Sequence, residues 1–197
     1  MGSLIRNRNY VLLTIAFVLM WGNYFALGNS LDTLFHGQFK PFVPSLIGGL
    51  FIIAGMIGML ITGIYLDKSG NYKCFVRLIA VLLFLMMAIA LVILPKGNVW
   101  VTCGWAAITG LIHMPILPSA YDYALKITGT TPPPIVNGMM MSGAFLWAFI
   151  GTISVTYLQE KNQVWGIFFL TASTAVALIC TILFKEDKRM PEYVEVI

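Results

Sequence analysis

Residues 63 to 73 read Gly-Ile-Tyr-Leu-Asp-Lys-Ser-Gly-Asn-Tyr-Lys and lie between two long apolar stretches. Glycine at Gly70 permits a tight turn, and Gly63 lets neighbouring helices meet. Asp67 can accept from a helix N-terminus or a basic residue, while Lys68 and Lys73 stay at the membrane interface. Such a loop can latch two helices and favour one state of a moving bundle over another. The same residues also suit a plain polar turn between any two membrane helices. Elsewhere, Trp21, Tyr24, Phe25, Phe145 and Trp147 could turn ring faces towards a quaternary ammonium, or simply pack against protein and lipid. His113 stands mid-span between Gly110 and Pro115. A proton relay there would need an acid inside the bilayer, and Asp122 is near the span's end, so a bond to a helix carbonyl near the proline kink is expected instead. No Ser/His/Asp order, metal-ligand spacing or phosphate-cradling loop is present. Neither an enzyme nor a cofactor or metal is expected.

The elements that must hold these residues are membrane helices. The chain is 59% hydrophobic and 10% charged, with mean hydropathy +0.87, whereas a soluble domain carries roughly 25% charged residues. About 20 apolar residues cross a hydrocarbon core. Spans are placed near 10–29, 44–66, 75–94, 98–120, 136–158 and 164–184, in a single bundle over 1–190 followed by a short polar tail, 191–197. Asp67 to Asn71, Pro95 to Gly97 and Glu160 to Asn162 are polar breaks. The run from Thr128 to Pro134 cannot continue a helix, because its prolines lack donors and clash with the preceding turn. Cys74, Cys103 and Cys180 have no ligand-type spacing and read as small apolar packers. The first apolar stretch is too long for a cleavable signal.

Six helices bring both termini to one side. Arg6, Arg8, Lys68, Lys73, Arg77, Lys126, Lys185, Lys188 and Arg189 fall on that side, against Lys40, Lys96 and Lys161 on the other. The positive-inside rule then places both termini in the cytosol, or in the matrix of a mitochondrial inner membrane. Topology accounts for the net charge of +4, so no nucleic-acid partner is inferred. Ala54, Gly58 and Thr62 on the second span, and Ala144, Ala148 and Thr152 on the fifth, form small-residue stripes that let helices approach closely.

The loop at Gly63 to Lys73 resembles the signature loop of the major facilitator superfamily (MFS), which joins the second and third helices of a six-helix repeat. Further matches are more specific. Arg6 to Tyr10 is similar to "KNRNF", a segment of the feline leukaemia virus subgroup C receptor-related family. Ala54 to Gly58 with Gly63 to Lys68 resembles its "AGMVGS…GIWLDK". Leu117 to Thr128 resembles "LPLGFEFAAELT", and Asn137-Gly138-Met-Met matches "SGLL". The resemblance keeps order and spacing over roughly residues 4–155 and corresponds to the family's second repeat. It implies an all-α integral membrane fold, one six-transmembrane-helix MFS repeat. The family is known for moving choline, ethanolamine compounds and, by older proposals, heme, between two such bundles.

The resemblance also implies where a substrate cavity would lie. The family's "GVFYA" aromatic falls on Phe25, in Gly22-Asn23-Tyr24-Phe25-Ala26. The acid of "GFEFA" is kept as Asp122, whereas the next acid becomes Lys126. The "NASAQ" asparagine and glutamine become Met141 and Phe145. A buried polar group in lipid is costly unless it serves a partner or substrate, so this loss suits a site released from binding. Trp21, Asn23, Tyr24, Phe25, Asp122, Met141 and Phe145 form the candidate vestigial cavity. The expected function is a transporter-derived half acting as an accessory or structural subunit among other membrane subunits. The charged tail from Lys185 is either a docking segment or a solvated end. The alternative is an active carrier of a choline-like cation or other small solute, completed by a second six-helix half or a homodimer.

Overall fold

A computed structural model describes residues 7–35, 38–129 and 131–184, with the side chain of Gln163 excepted. Arg6, Lys185, Lys188, Arg189 and the tail 191–197 lie outside the described residues. Among the described residues seven main helices follow one another: α1 (Arg8–Asn29), α2 (Phe42–Ser69), α3 (Tyr72–Ile93), α4 (Val99–His113), α5 (Ile116–Thr128), α6 (Pro133–Lys161) and α7 (Gln163–Ile182). A single helical turn, Leu31–Leu34, follows α1, and a 3₁₀ turn, Leu94–Lys96, follows α3. Helices α4 and α5 together make one crossing, so six segments are long and apolar enough to span a membrane. No strand occurs among the described residues.

Local chemistry sets the helix ends. Asn7 caps α1 by accepting from Asn9 N and Tyr10 N, Asn98 caps α4 from Trp100 N and Val101 N, and Asn162 caps α7 from Val164 N. Each satisfies first-turn N–H groups that have no intrahelical acceptor. Pro133 and Pro134 occupy the first turn of α6, where a missing N–H costs nothing. Pro115 separates α4 from α5 for the converse reason: it cannot donate into the ladder.

Two boundaries differ from the sequence reading. The fourth crossing continues past residue 120 to Thr128, because the proline offsets the helix without ending it. Asp67 and Lys68 belong to the last turn of α2, not to a loop. The turn itself is only Gly70 and Asn71, with Gly70 left-handed at φ 64° and its N–H bonded to Leu66 O at 2.9 Å. That backbone conformation favours glycine.

Helix α1 is the central strut, packed against α5, α6 and α7. Helix α2 packs chiefly on α4, and α3 bridges α4, α5 and α7. The outward faces of α2 and α6 are the most exposed and are apolar: Ile53, Leu60 and Ile64 on one, Leu146, Phe149 and Ile153 on the other. In a bilayer those faces meet lipid tails or other helices at no hydrophobic cost.

Candidate functional site

Helix α1 carries Phe17, Trp21 and Tyr24 at spacings of four and three, which aligns them along one helical stripe. Their rings run as a stack. Phe17 lies 6.2 Å from Trp21 at an interplanar angle of 16°, and Trp21 lies 5.0 Å from Tyr24 at 6°. Tyr24 stacks in turn on Phe51 of α2 at 4.9 Å. Phe25 meets Trp21 and Tyr24 edge-on, at 5.7 and 5.5 Å, and reaches Phe145 of α6 at 5.4 Å. Trp21 is 5% exposed and Tyr24 8%, whereas Phe145 at 53% lies on the bundle's flank. Met141, one turn before Phe145, is half-buried against the same core.

Asn23 points the other way, into the seam between α1, α6 and α7. Its amide nitrogen donates to Ser173 Oγ at 2.6 Å, Thr174 Oγ1 at 3.2 Å and Leu170 O at 3.3 Å. Its carbonyl oxygen accepts from Trp147 Nε1 at 2.9 Å. The side chain is 1% exposed, and both ends of the amide are committed to neighbouring helices. A buried amide in lipid must be satisfied internally, and this one is. Trp147 is thereby held away from the ring stack and lies 5.9 Å from Phe169, nearly parallel.

His113, 1% exposed, closes the stack from α4. Its Nε2 donates to Met20 O of α1 at 2.7 Å, and its ring sits edge-on to Tyr24 at 5.4 Å. The carbonyl thus comes from a neighbouring helix and not from the proline kink of its own. Nδ1 of His113 and Nε1 of Trp21 are buried without a hydrogen-bond partner.

Asp122 does not join this cluster. It lies on α5 within electrostatic reach of Asp67, Lys126 and Tyr72, at the membrane end that carries the signature residues. Asp67 and Lys68 are exposed there, Lys73 is half-buried, and Lys126 Nζ stands 4.0 Å over the Tyr72 ring. Arg77 pins α3 to the end of α7, with Nε donating to Thr181 O at 2.9 Å and Nη2 to Ile182 O and Phe184 O.

Gly63 does not mediate a close approach, since a Cβ there would meet nothing within 4 Å. The approach lies at Gly58, where a Cβ would strike the Leu111 carbonyl, and at Gly110, where it would strike that of Phe51. Buried positions on α2 run Phe51, Gly55, Gly58, Thr62, and on α6 Ala144, Ala148, Gly151. Gly55 and Gly151 therefore replace Ala54 and Thr152 in the expected stripes. A helix of 3.6 residues per turn alternates steps of three and four, which a strict four-residue spacing misses. Sequence reasoning also missed Ser173 and Thr174; a polar pair within an apolar span was the available signal.

No protein-family model matches the chain. It is 27% identical over 201 residues to the human choline/ethanolamine transporter FLVCR2, covering 98% of this chain and 38% of that protein. Against the mouse choline/ethanolamine transporter FLVCR1 it is 27% identical over 194 residues, covering 95% and 34%. An uncharacterized MFS-type transporter of Caenorhabditis elegans is 24% identical over 193 residues, covering 94% and 32%. The chain spans about a third of the length of these relatives. Its six apolar helices and its similarity from end to end to these transporters make it a polytopic membrane protein resembling one half of an FLVCR-type major facilitator.

Proposed function

We propose that this transporter-derived six-helix half serves as an accessory or structural subunit of a larger membrane complex. One observation carries the reading: the rings that would cage an organic cation are spent on one another. A cation–π site needs a ring face open within about 6 Å of the cation. Trp21 has Phe17 and Tyr24 stacked along it, Tyr24 is also covered by Phe51, and Phe25 packs on Phe145. The amide of Asn23 is equally committed. The outward faces of α2 and α6 then supply surfaces for neighbouring subunits, with the basic end of the bundle towards the cytosol or the matrix.

A second reading is an active carrier of a choline-like cation, completed by a second six-helix half. The unpartnered Trp21 Nε1 and His113 Nδ1 beside Tyr24 favour it, as do the relatives named as choline/ethanolamine transporters. The test is uptake of labelled choline and ethanolamine by purified protein in liposomes, beside identification of what co-purifies in mild detergent. The accessory reading expects stoichiometric membrane subunits and no uptake above empty vesicles. Uptake that is lost in Trp21→Ala overturns it in favour of the carrier.

A further inference from the structure

At the basic end of the bundle, α3 and α5 border a cleft of about 320 Å³. Lys73 and Arg77 line it from α3, Tyr123 and Lys126 from α5, and the Gly70–Asn71 turn closes one side. Three cationic side chains thus face one cavity, and among the described residues no carboxylate lines it. Asp67 and Asp122 stand close enough to influence Tyr72, and Asp122 also feels Lys126, but neither is among the described lining residues.

Among the described residues the three cations are engaged only in part. Among the described residues Lys73 makes no hydrogen bond or ion pair. Lys126 Nζ stands 4.0 Å over the Tyr72 ring, with Asp122 within electrostatic reach. Arg77 uses Nε and Nη2 on carbonyls at and just beyond the end of α7, and Nη1 makes none of those bonds. The same cleft includes the first turn of the 22-residue α3, which Asn71 leaves without a side-chain cap. Uncapped first-turn amides and the positive end of the helix dipole add to the field of the three side chains. Like charges gathered at the edge of a low-dielectric slab repel one another unless an anion joins them. A phosphate group matches the need, because several donors can share its oxygens.

We propose that this cleft binds a phosphate-bearing anion, seated between Lys73, Lys126 and the free edge of Arg77 at the start of α3. A lipid headgroup and free phosphate present the same chemistry, and basic pockets between membrane helices suit the former. Binding there ties α3 to α5. The inference stands apart from the choice between subunit and carrier.

The test measures the thermal midpoint of the full chain in phosphatidylcholine nanodiscs, with or without added phosphatidylglycerol, and separately with inorganic phosphate. Phosphatidylglycerol is expected to raise the midpoint by roughly 2–4 °C. The shift should vanish in Lys73→Gln/Lys126→Gln and persist in Lys40→Gln/Lys96→Gln at the opposite end. If the double variant does not fold, Lys73→Gln alone carries the test, since this side chain has no partner among the described residues. An equal shift from inorganic phosphate that needs Lys73 assigns the site to a free anion. No shift with either ligand, or a shift indifferent to Lys73 and Lys126, overturns the proposal.

Discussion

The α2–α4 seam and the α1–α6–α7 seam hold the same bundle together by opposite means. Across α2 and α4 the contact is backbone on backbone: Gly58 lies against the Leu111 carbonyl and Gly110 against that of Phe51. Around α1 the contact is made by side chains, with the Asn23 amide joining Trp147, Ser173 and Thr174. Lipid tails are as apolar as leucine, so neither seam gains from hydrophobic burial against water. The first substitutes close van der Waals packing and the second internal hydrogen bonding. The difference predicts unlike tolerances. A glycine seam fails when atoms are added, and a hydrogen-bonded seam fails when a partner is removed.

The largest expected effect follows from adding atoms. Gly110→Val drives a branched side chain into the Phe51 backbone and should cost about 3 kcal/mol or more, read as lowered resistance to denaturant in micelles. An unchanged unfolding midpoint would show that the two helices can part freely. Asn23→Leu comes next. It leaves Trp147 Nε1 without its acceptor and removes the α1 tie to α7, at an expected cost of roughly 1–2 kcal/mol given that single bonds between membrane helices are worth about 0.6 kcal/mol. Asn23→Asp in the same assay should recover little, because the donor to Ser173 and Thr174 is gone. The smallest effect belongs to Gly63→Ala. With nothing within 4 Å of its Cβ among the described residues, it should be neutral or stabilise α2 by up to about 1 kcal/mol. Marked destabilisation there would restore Gly63 as a helix contact.

The comparison also explains how far each site could be read beforehand. The glycine stripes were visible, because small residues at near-helical spacing on an apolar span announce a close approach. The offset of one residue, Gly55 for Ala54 and Gly151 for Thr152, depended on which way each helix faces its neighbour. The resemblance groups Asp122 with Phe25 and Phe145. Its depth on α5 instead sets it beside Asp67 and Lys126. The rings of Trp21, Tyr24 and Phe25 could be marked as a candidate cage from their identity. That they fill one another's faces depended on where α1 brings them against Phe51 of α2 and Phe145 of α6.

The amino-acid sequence by itself determined the number of membrane crossings, the all-helical fold and the resemblance to a facilitator half. Apolar length, proline and glycine breaks and motif spacing are local properties, written along the chain and independent of what lies across the bundle. Only the tertiary structure decided that Asn23 is a joint between helices, that Gly58 and not Gly63 marks the close approach, and that Lys73, Arg77 and Lys126 share a cleft. Each of those is a relation between residues distant in the chain. Asn23 and Thr174 are 151 positions apart, and no local preference specifies that distance; the packing of seven helices does.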